Sequence, residues 1–150
     1  MPLQGEFAEM LPGWQKDQVD QVLAAGDTRA VDLNGMPIAL FIVRGAKSGL
    51  LRRVPLMRVE HDGAYAAVAS KGGAPNNPEW YYSFRANPQI MIQDGTETHD
   101  YVARELSGDE RDEWWERCVA AFPPYAEYQD KASSTSGRTI PVFICEPVSR

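Results

Sequence analysis

The chain has 150 residues, of which 43% are hydrophobic, and it carries a formal net charge of −6 at pH 7. A chain of this length and composition is expected to form one domain with its own core. An acidic domain is unlike a nucleic-acid-binding protein, which needs a basic surface, so we predict no nucleic-acid partner. No apolar run approaches the roughly 20 residues that span a bilayer, so we predict no integral membrane segment.

The N-terminus has neither the basic nor the apolar segment of a secretory signal, which predicts a cytoplasmic protein, with peripheral membrane association as an alternative. Two cysteines, Cys118 and Cys145, are too few for a disulfide framework, so we expect buried free thiols. No cysteine and histidine pair has the spacing of a zinc site, and we therefore predict no metal.

The first 33 residues are predicted to form an N-terminal arm and a short helix. The pattern at residues 14–25 puts apolar side chains on one face of that helix. Regular structure begins after the turn signal Asn34-Gly35. Residues 34–150 are therefore predicted to be the main body of a single domain.

The remaining chain alternates predicted strands with helices. The apolar run at residues 38–43 is typical of a strand buried on both faces, and Pro55 places the next strand at an edge or a bulge. Several strands are joined by short turns, which disfavours a doubly wound parallel sheet. We predict an α+β fold, an antiparallel barrel or half-barrel of about six strands with flanking helices. The predicted strands cover residues 38–43, 53–59, 65–70, 89–93, 96–106 and 140–146.

Three local signals mark boundaries around the predicted helices. Asn77-Pro78 predicts a helix start, with Asn77 as the N-cap and Pro78 at the first helical position. Ser107 and Glu110 form a capping-box pattern before an amphipathic helix. The polar sequence of residues 132–137 predicts a flexible loop.

Basic residues are concentrated in one stretch of this acidic chain, where no Asp or Glu occurs between Asp32 and Glu60. The basic residues of this stretch and the strand after it are Arg44, Lys47, Arg52, Arg53, Arg58 and Lys71. Cationic side chains and backbone N–H groups that converge on glycine-rich turns favour the binding of an anion. We therefore predict a small anionic ligand of phosphorylated type.

No catalytic nucleophile with an attendant base can be recognised in the sequence. The segment around Lys47 is not a P-loop, because Phe41 and Ala46 stand where that motif requires glycine. The serine-rich residues 133–136 have no histidine near them. This absence favours an enzyme whose cofactor carries the chemistry, or a protein that is not an enzyme.

Four segments are specific in combination, through their order and spacing. They read GAKSG-x-x-R-x-x-PLM, ASKGGAP-x-NP-x-WY, P-x-Y-x-x-Y-Q and RTIPVF. From about Asn34 to Val148 the chain resembles the deazaflavin-dependent nitroreductase family of actinobacteria. The resemblance implies a split β-barrel, related to the FMN-binding barrels, that uses coenzyme F420.

The resemblance implies which residues contact that cofactor. Basic side chains of the first segment would take its phosphate and its acidic oligoglutamate tail, which accounts for the basic stretch. The residues so implied are Lys47, Ser48, Arg52 and Arg53 for phosphate and tail, Val54, Pro55, Leu56 and Met57 for the deazaflavin, Ala69, Ser70, Lys71 and Gly72 for the ring or ribityl chain, and Asn77, Trp80 and Tyr81 for the phosphate side.

The resemblance also implies hydride transfer from reduced F420 (F420H2) to a small-molecule acceptor. Met57, Tyr125 and Tyr128 would contact the substrate, and Tyr125 would also contact the cofactor. Tyr125 or Ser70 would act as the catalytic group that orients the acceptor or helps to deliver a proton.

Two positions depart from the nitroreductase-type members, which can carry an aromatic residue at Met57 and a tyrosine at Phe122. The predicted acceptors therefore include quinones and enones, such as lactone-fused rings, beside nitro compounds. Two alternatives stay open, an FMN-dependent oxidoreductase on the same barrel and a non-catalytic F420-binding or storage protein. A monomer and a homodimer are both compatible with the sequence.

Overall fold

The computed structural model describes residues 3–33 and 35–148, so the Asn34 half of the predicted turn lies outside the described residues. The described ranges contain four α-helices, eight β-strands and two short 3-10 helices. In chain order they are α1 (Trp14–Ala25), a 3-10 helix (Thr28–Ala30), β1 (Asp32–Leu33), β2 (Met36–Arg44), β3 (Leu51–Met57), β4 (Glu60–His61), β5 (Ala64–Val68), a second 3-10 helix (Lys71–Gly73), α2 (Glu79–Ala86), β6 (Gln89–Asp94), β7 (Glu97–Glu105), α3 (Gly108–Ala121), α4 (Pro124–Ser136) and β8 (Val142–Pro147).

The strands form one antiparallel sheet in the order β1-β2-β6-β7-β8-β5-β4, and β3 pairs with β2 beside this path. The residues after β3 lead back towards β5, because Val59 O accepts a hydrogen bond from Ala66 N at 2.9 Å. The sheet therefore curls into a half-barrel, which confirms the predicted α+β split-barrel fold. Its six strands longer than two residues correspond to the six predicted strands.

Alternate residues of β2 pack into two different clusters. Phe41 lies in the core inside the curl, where its ring and that of Phe143 are 6.4 Å and 5.1 Å from the ring of Phe84 in α2. Leu40 points the other way and packs with Val22 under α1. Burial on both faces explains the unbroken apolar run of β2, as the sequence predicted.

Helices α3 and α4 cover the outer face of β5 and β8. Trp114 and Cys118 of α3 and Ala132 of α4 pack in one buried cluster with Val142 of β8. The thiols of Cys118 and Cys145 are free and buried, as predicted. Burial raises the pKa of the Cys118 thiol to about 12. Within the described part of the chain, no helix has both the length and the apolar character needed to cross a membrane.

The predicted start of α2 is wrong by one position. The helix begins at Glu79, and Pro78 is the N-cap, with φ −66° and ψ 157°. The Asn77 side chain makes no cap, because its Oδ1 accepts a hydrogen bond from Arg138 Nη1 at 2.7 Å. A long-range contact has thus replaced the local one.

The predicted capping box is also wrong, although Ser107 is the N-cap of α3. Its hydroxyl makes no capping hydrogen bond. The Glu110 carboxylate instead accepts two hydrogen bonds from Arg104, at 2.8 Å and 2.7 Å. A bidentate arginine is a stronger partner for this carboxylate than one backbone N–H.

The predicted loop at residues 132–137 is wrong, because α4 continues through Ser136. The hydroxyls of Thr135 and Ser136 donate back to helix carbonyls at 2.8 Å and 3.2 Å, so these polar side chains stay within the helix. Ala132 is buried against the outer face of the sheet. The helix ends at Gly137, whose φ of 72° is left-handed.

Candidate functional site

A cleft of about 870 Å³ opens at one end of the half-barrel. Its walls are β3, the loop after β5, the start of α2 and the turn between α3 and α4, and residues 8–15 complete it. The following predicted site residues line it: Arg52, Arg53, Val54, Pro55, Leu56, Met57, Ser70, Lys71, Gly72, Trp80, Tyr125 and Tyr128.

The β3 wall is apolar and firmly placed. Pairing with β2 sets Val54 opposite Phe41 and Leu56 opposite Ala39. Val54 and Leu56 are half-buried against the inner core, so one side of each packs and the other borders the cleft. Pro55 lacks an N–H, which suits a strand that pairs with β2 and lies at the edge of the sheet.

Arg53 brings a partly desolvated positive charge to the same wall. Its guanidinium carbon lies 3.6 Å from the centroid of the Phe7 ring. Burial lowers the pKa of the Arg53 guanidinium. No carboxylate within residues 3–33 and 35–148 forms an ion pair with it. A half-buried cation without a counter-ion is a favourable place for an anionic ligand.

The loop after β5 presents backbone N–H groups to the cleft. Ser70 is right-handed, with φ −75° and ψ −42°, and it is followed by three positive φ values, 46° at Lys71, 63° at Gly72 and 80° at Gly73. A right-handed residue followed by a left-handed one is the backbone pattern that turns successive N–H groups towards one side and favours anion binding. The N–H groups of Ser70, Lys71 and Gly72 donate to no acceptor in the described part of the chain.

Aromatic side chains close the wall opposite β3. Tyr125 is 4% exposed, and its ring centroid lies 5.0 Å from that of Phe122 and 6.2 Å from that of Tyr128. Burial raises the pKa of the Tyr125 hydroxyl, so the group stays protonated at neutral pH. This hydroxyl has no hydrogen-bond partner among residues 3–33 and 35–148. It is therefore available to a ligand.

Five residues implied by the resemblance do not line the cleft. Lys47 and Ser48 lie in the turn between β2 and β3, where Ser48 Oγ accepts a hydrogen bond from Leu50 N at 3.1 Å. Ala69 is buried, and its carbonyl accepts a hydrogen bond from Arg138 Nη1 at 2.9 Å. The predicted contacts of these three side chains with the cofactor stay predictions.

Asn77 and Tyr81 lie behind the cleft. Asn77 is held by Arg138, as described above. The buried Tyr81 accepts a hydrogen bond from Arg85 at 3.0 Å and donates one to Glu105 at 3.4 Å. The resemblance implied that both residues contact the phosphate side of the cofactor, and these two contacts stay predictions.

The wall formed by residues 8–15 was not predicted. Backbone pairing at the edge of β3 holds this segment, with Ala8 N donating to Leu51 O and Leu51 N donating to Glu6 O, each at 2.8 Å. Trp14, which is 57% exposed, lies at the rim. The segment has no hydrophobic period, so the sequence carries no signal for its position.

Residues 14–147 match the model of the F420H(2)-dependent quinone reductase family. This chain belongs to that family. A Mycobacterium tuberculosis relative with this activity in its name is 36% identical over 112 residues, which cover 75% of this chain and 91% of the relative. A solved F420-H2-dependent reductase is 55% identical, with a TM-score of 0.68, over 77% of this chain and 99% of its own. A solved domain-swapped dimer is 52% identical, with a TM-score of 0.70, over 87% and 96%.

As a member of the F420H2-dependent quinone reductase family, the protein is an oxidoreductase, and reduced coenzyme F420 is its cofactor. The resemblance to F420-dependent reductases is thereby confirmed. The family description names quinones as acceptors and does not name nitro compounds.

The residues of the cleft fit a cofactor of this kind. The apolar face of Val54, Pro55 and Leu56 suits a planar ring, and the free N–H groups of the loop suit polar oxygens. Arg53 has no acidic partner in the described ranges, so its charge is available to the phosphate or the acidic tail. The cleft volume of about 870 Å³ lies within the range of small-molecule and cofactor sites.

Proposed function

We propose that this member of the family reduces a quinone, using the cleft between β3, the loop after β5 and α4 as the site of hydride transfer. The observation that carries the proposal is the pairing of an apolar wall with the hydroxyl of Tyr125, a residue only 4% exposed, which has no hydrogen-bond partner in the described chain. When bound, F420H2 supplies the hydride. The acceptor also needs a proton, so that a quinone becomes a hydroquinone.

The residues of the chain have three tasks in this reaction. Val54 and Leu56 hold the ring against β3, and Arg53 binds an anionic part of the cofactor. Phe122 and Met57, both buried, exclude water from the acceptor side. Their placement favours an acceptor that is itself flat and apolar.

Tyr125 is proposed to donate a hydrogen bond to the acceptor oxygen that gains negative charge. Its raised pKa keeps the proton on the hydroxyl at neutral pH, so the group acts as a donor there. Ser70, which also lines the cleft, is the second candidate for this role. The same arrangement serves an enone carbonyl or a nitro oxygen, and these remain alternative acceptors.

Two measurements test the proposal. Fluorescence titration of the purified protein with F420, beside a titration with FMN, should show micromolar or tighter binding of F420 alone. Oxidation of F420H2 should then be followed with matched quinones, enones and nitro compounds. The highest kcat/KM with quinones would support the proposal, whereas binding of F420 with no quinone turnover would contradict it.

We also propose that the protein forms a homodimer. We propose that it works in the cytoplasm, and that residues 1–33 form an arm on the domain of residues 34–150. The domain-swapped relative, at 52% identity, supports the dimer. Light scattering during size-exclusion chromatography would show twice the chain mass of 16.7 kDa. A single species of monomer mass at micromolar concentration would contradict this.

A further inference from the structure

Arg138 lies outside the cleft but holds the loop that borders it. The side chain is half-buried between α4 and β8, and its guanidinium donates five hydrogen bonds. The acceptors are Ala69 O at 2.9 Å, Ser70 O at 2.7 Å, Ala74 O at 2.8 Å and 3.0 Å, and Asn77 Oδ1 at 2.7 Å. Burial lowers the pKa of Arg138, and no described carboxylate pairs with it.

The carbonyl groups of this loop bind Arg138, whereas the residues with free N–H groups border the cleft. The carbonyls of Ala69, Ser70 and Ala74 turn towards Arg138, which does not line the cleft. Ser70 and the two residues after it do line the cleft, and their N–H groups have no acceptor in the described ranges. The loop thus lies between a cation that binds its carbonyls and a cleft that its amides border.

Arg138 is itself fixed to α4. Its N donates to Ala132 O at 3.2 Å, and its O accepts from Gln129 Nε2 at 3.0 Å. Gln129 Oε1 also accepts from Ile140 N at 2.9 Å. The loop meets the same helix directly, because Gly73 packs against its backbone. The helix that carries the aromatic wall therefore also anchors the amide loop.

We propose that Arg138 is a positioning residue that holds the N–H groups of Ser70, Lys71 and Gly72 ready to bind an anionic or electron-rich oxygen of the reduced cofactor. The inference rests on the proposed use of this cleft for F420. Arg138 touches no ligand in this role. It acts through the loop, because five donors in one plane fix four acceptor groups at once.

A lysine cannot reproduce this geometry. Its ammonium has three donors and no planar fork, although it keeps the positive charge. Arg138→Lys should therefore raise the Kd for F420 by about tenfold, which corresponds to roughly 1.4 kcal/mol. The KM for the acceptor should stay within about twofold, because the variant leaves the acceptor wall in place.

The salt dependence of binding separates positioning from direct ion pairing. The slope of log Kd for F420 against log salt concentration should be the same in wild type and Arg138→Lys. The slope should fall in Arg53→Met, because that variant removes a charge beside the ligand. A changed slope in Arg138→Lys, or an unchanged Kd, would overturn the proposal. Arg117→Lys, at a residue of α3 that does not line the cleft, is the matched control.

Hydrogen exchange of the protein without cofactor tests the hold on the loop by itself. The amides of Gly73 and Ala74, which donate to Ser70 O and Lys71 O, should exchange faster in Arg138→Lys. Unchanged exchange would overturn the proposal about Arg138, whether or not the wild type binds F420. A wild type that fails to bind F420 would contradict the proposed function separately. Should Arg138→Lys not fold, Asn77→Ala removes one of the five contacts and should change exchange and Kd in the same direction, to a smaller extent.

Binding of a cofactor fragment that lacks the phosphate and the tail shows which oxygen the loop amides bind. If Arg138→Lys weakens the fragment and F420 equally, the amides bind the deazaflavin ring or the ribityl chain. If only F420 is weakened, they bind the phosphate side. If neither is weakened, the proposal is wrong.

Discussion

Gly73, in the loop after β5, packs against the backbone of α4. A Cβ at this position would lie 2.6 Å from Tyr128 O and 3.1 Å from Lys131 Cβ, and φ is +80°. The neighbouring Gly72 also has positive φ, +63°, but no atom lies within 4 Å of its Cβ position. Gly72 therefore meets only the need for a positive φ, whereas Gly73 meets that need and also the need for a residue without a Cβ beside α4.

Gly73→Ala should lower the free energy of unfolding by about 3 kcal/mol or more, because the clash is with backbone and adds to the strain of a positive φ. Gly72→Ala should lower it by only about 1 kcal/mol, since strain acts alone there. Urea unfolding of both variants gives the comparison. Equal losses in the free energy of unfolding would show that α4 moves to accommodate the added methyl group.

Tyr125→Phe should lower kcat by about 100-fold while leaving the Kd for F420 within about twofold. A tyrosine stays protonated below its pKa, and burial raises the pKa of Tyr125 above its usual value. The wild-type rate should therefore show no decline from this group below about pH 10. Tyr82→Phe, at an exposed side chain, is the control. A Tyr125→Phe enzyme with wild-type kcat would transfer the role to Ser70.

At the scale of single residues, the sequence predicted which segments lie at the cleft better than it predicted which way each side chain points. The strand predicted at residues 53–59 corresponds to β3, residues 51–57, whose pairing with β2 fixes the alternation of its side chains. Tyr81 was expected at the phosphate side of the cofactor; it is buried and does not line the cleft, and its contact with the cofactor stays a prediction. Its neighbour Trp80 borders the cleft, and only the tertiary packing of α2 decides which of the two does so.

At the scale of elements, one polar cluster ties β5 to the β6–β7 hairpin. Asp94 Oδ2 accepts from Tyr65 Oη at 2.5 Å and from Arg58 Nε at 2.8 Å. The rings of Tyr65 and Tyr101 meet edge to face, with centroids 5.5 Å apart. Burial and then the hydrogen bond to Asp94 raise the pKa of Tyr65.

Tyr65→Phe should lower the free energy of unfolding by about 1.5 kcal/mol at neutral pH, because a hydrogen bond to a charged group is lost. The folded state holds the Tyr65 proton more tightly than the unfolded state does. The contribution is therefore complete below the usual tyrosine pKa of about 10 and declines as pH rises above it. Denaturant unfolding at pH 8 and pH 10.5 should show a smaller difference between wild type and variant at the higher pH. A difference that grows with pH would contradict this.

The elements that were predicted wrongly share one cause. Local rules predicted a loop at residues 132–137, a cap at Asn77 and a capping box at Ser107 and Glu110. A tertiary contact decides each outcome: Arg138, distant along the chain, takes Asn77, Arg104 takes the Glu110 carboxylate, and the packing of α4 on the sheet keeps residues 132–136 helical. The strands were predicted well because buried apolar runs and Asp-Gly turns are local, as at Asp62, whose φ is 52°.

At the scale of the whole molecule, an acidic chain has a cleft whose charged lining is net positive. The formal charge is −6, yet Arg52, Arg53 and Lys71 border the cleft and outnumber its two carboxylates, Glu9 and Glu79. Lys47 lies on an exposed turn nearby in sequence. Such a local reversal of sign attracts an anionic cofactor and is weakened by salt.

The double variant Lys47→Ala with Arg52→Ala should raise the Kd for F420 by about tenfold at low salt and by less at high salt, because the contacts are ionic. Titrations at two salt concentrations check this. Affinity for the cofactor fragment without phosphate and tail should not change. A double variant with wild-type affinity for F420 would show that the tail is bound elsewhere.

The position of β8 has a consequence for how the protein folds during its synthesis on the ribosome. This strand is the last of the eight in sequence order, yet it pairs with β5 on one side and β7 on the other. While residues 142–147 are still untranslated, both neighbours expose an unpaired edge. A nascent chain therefore carries two unpaired strand edges, which are prone to aggregation, until translation supplies the strand that pairs with both.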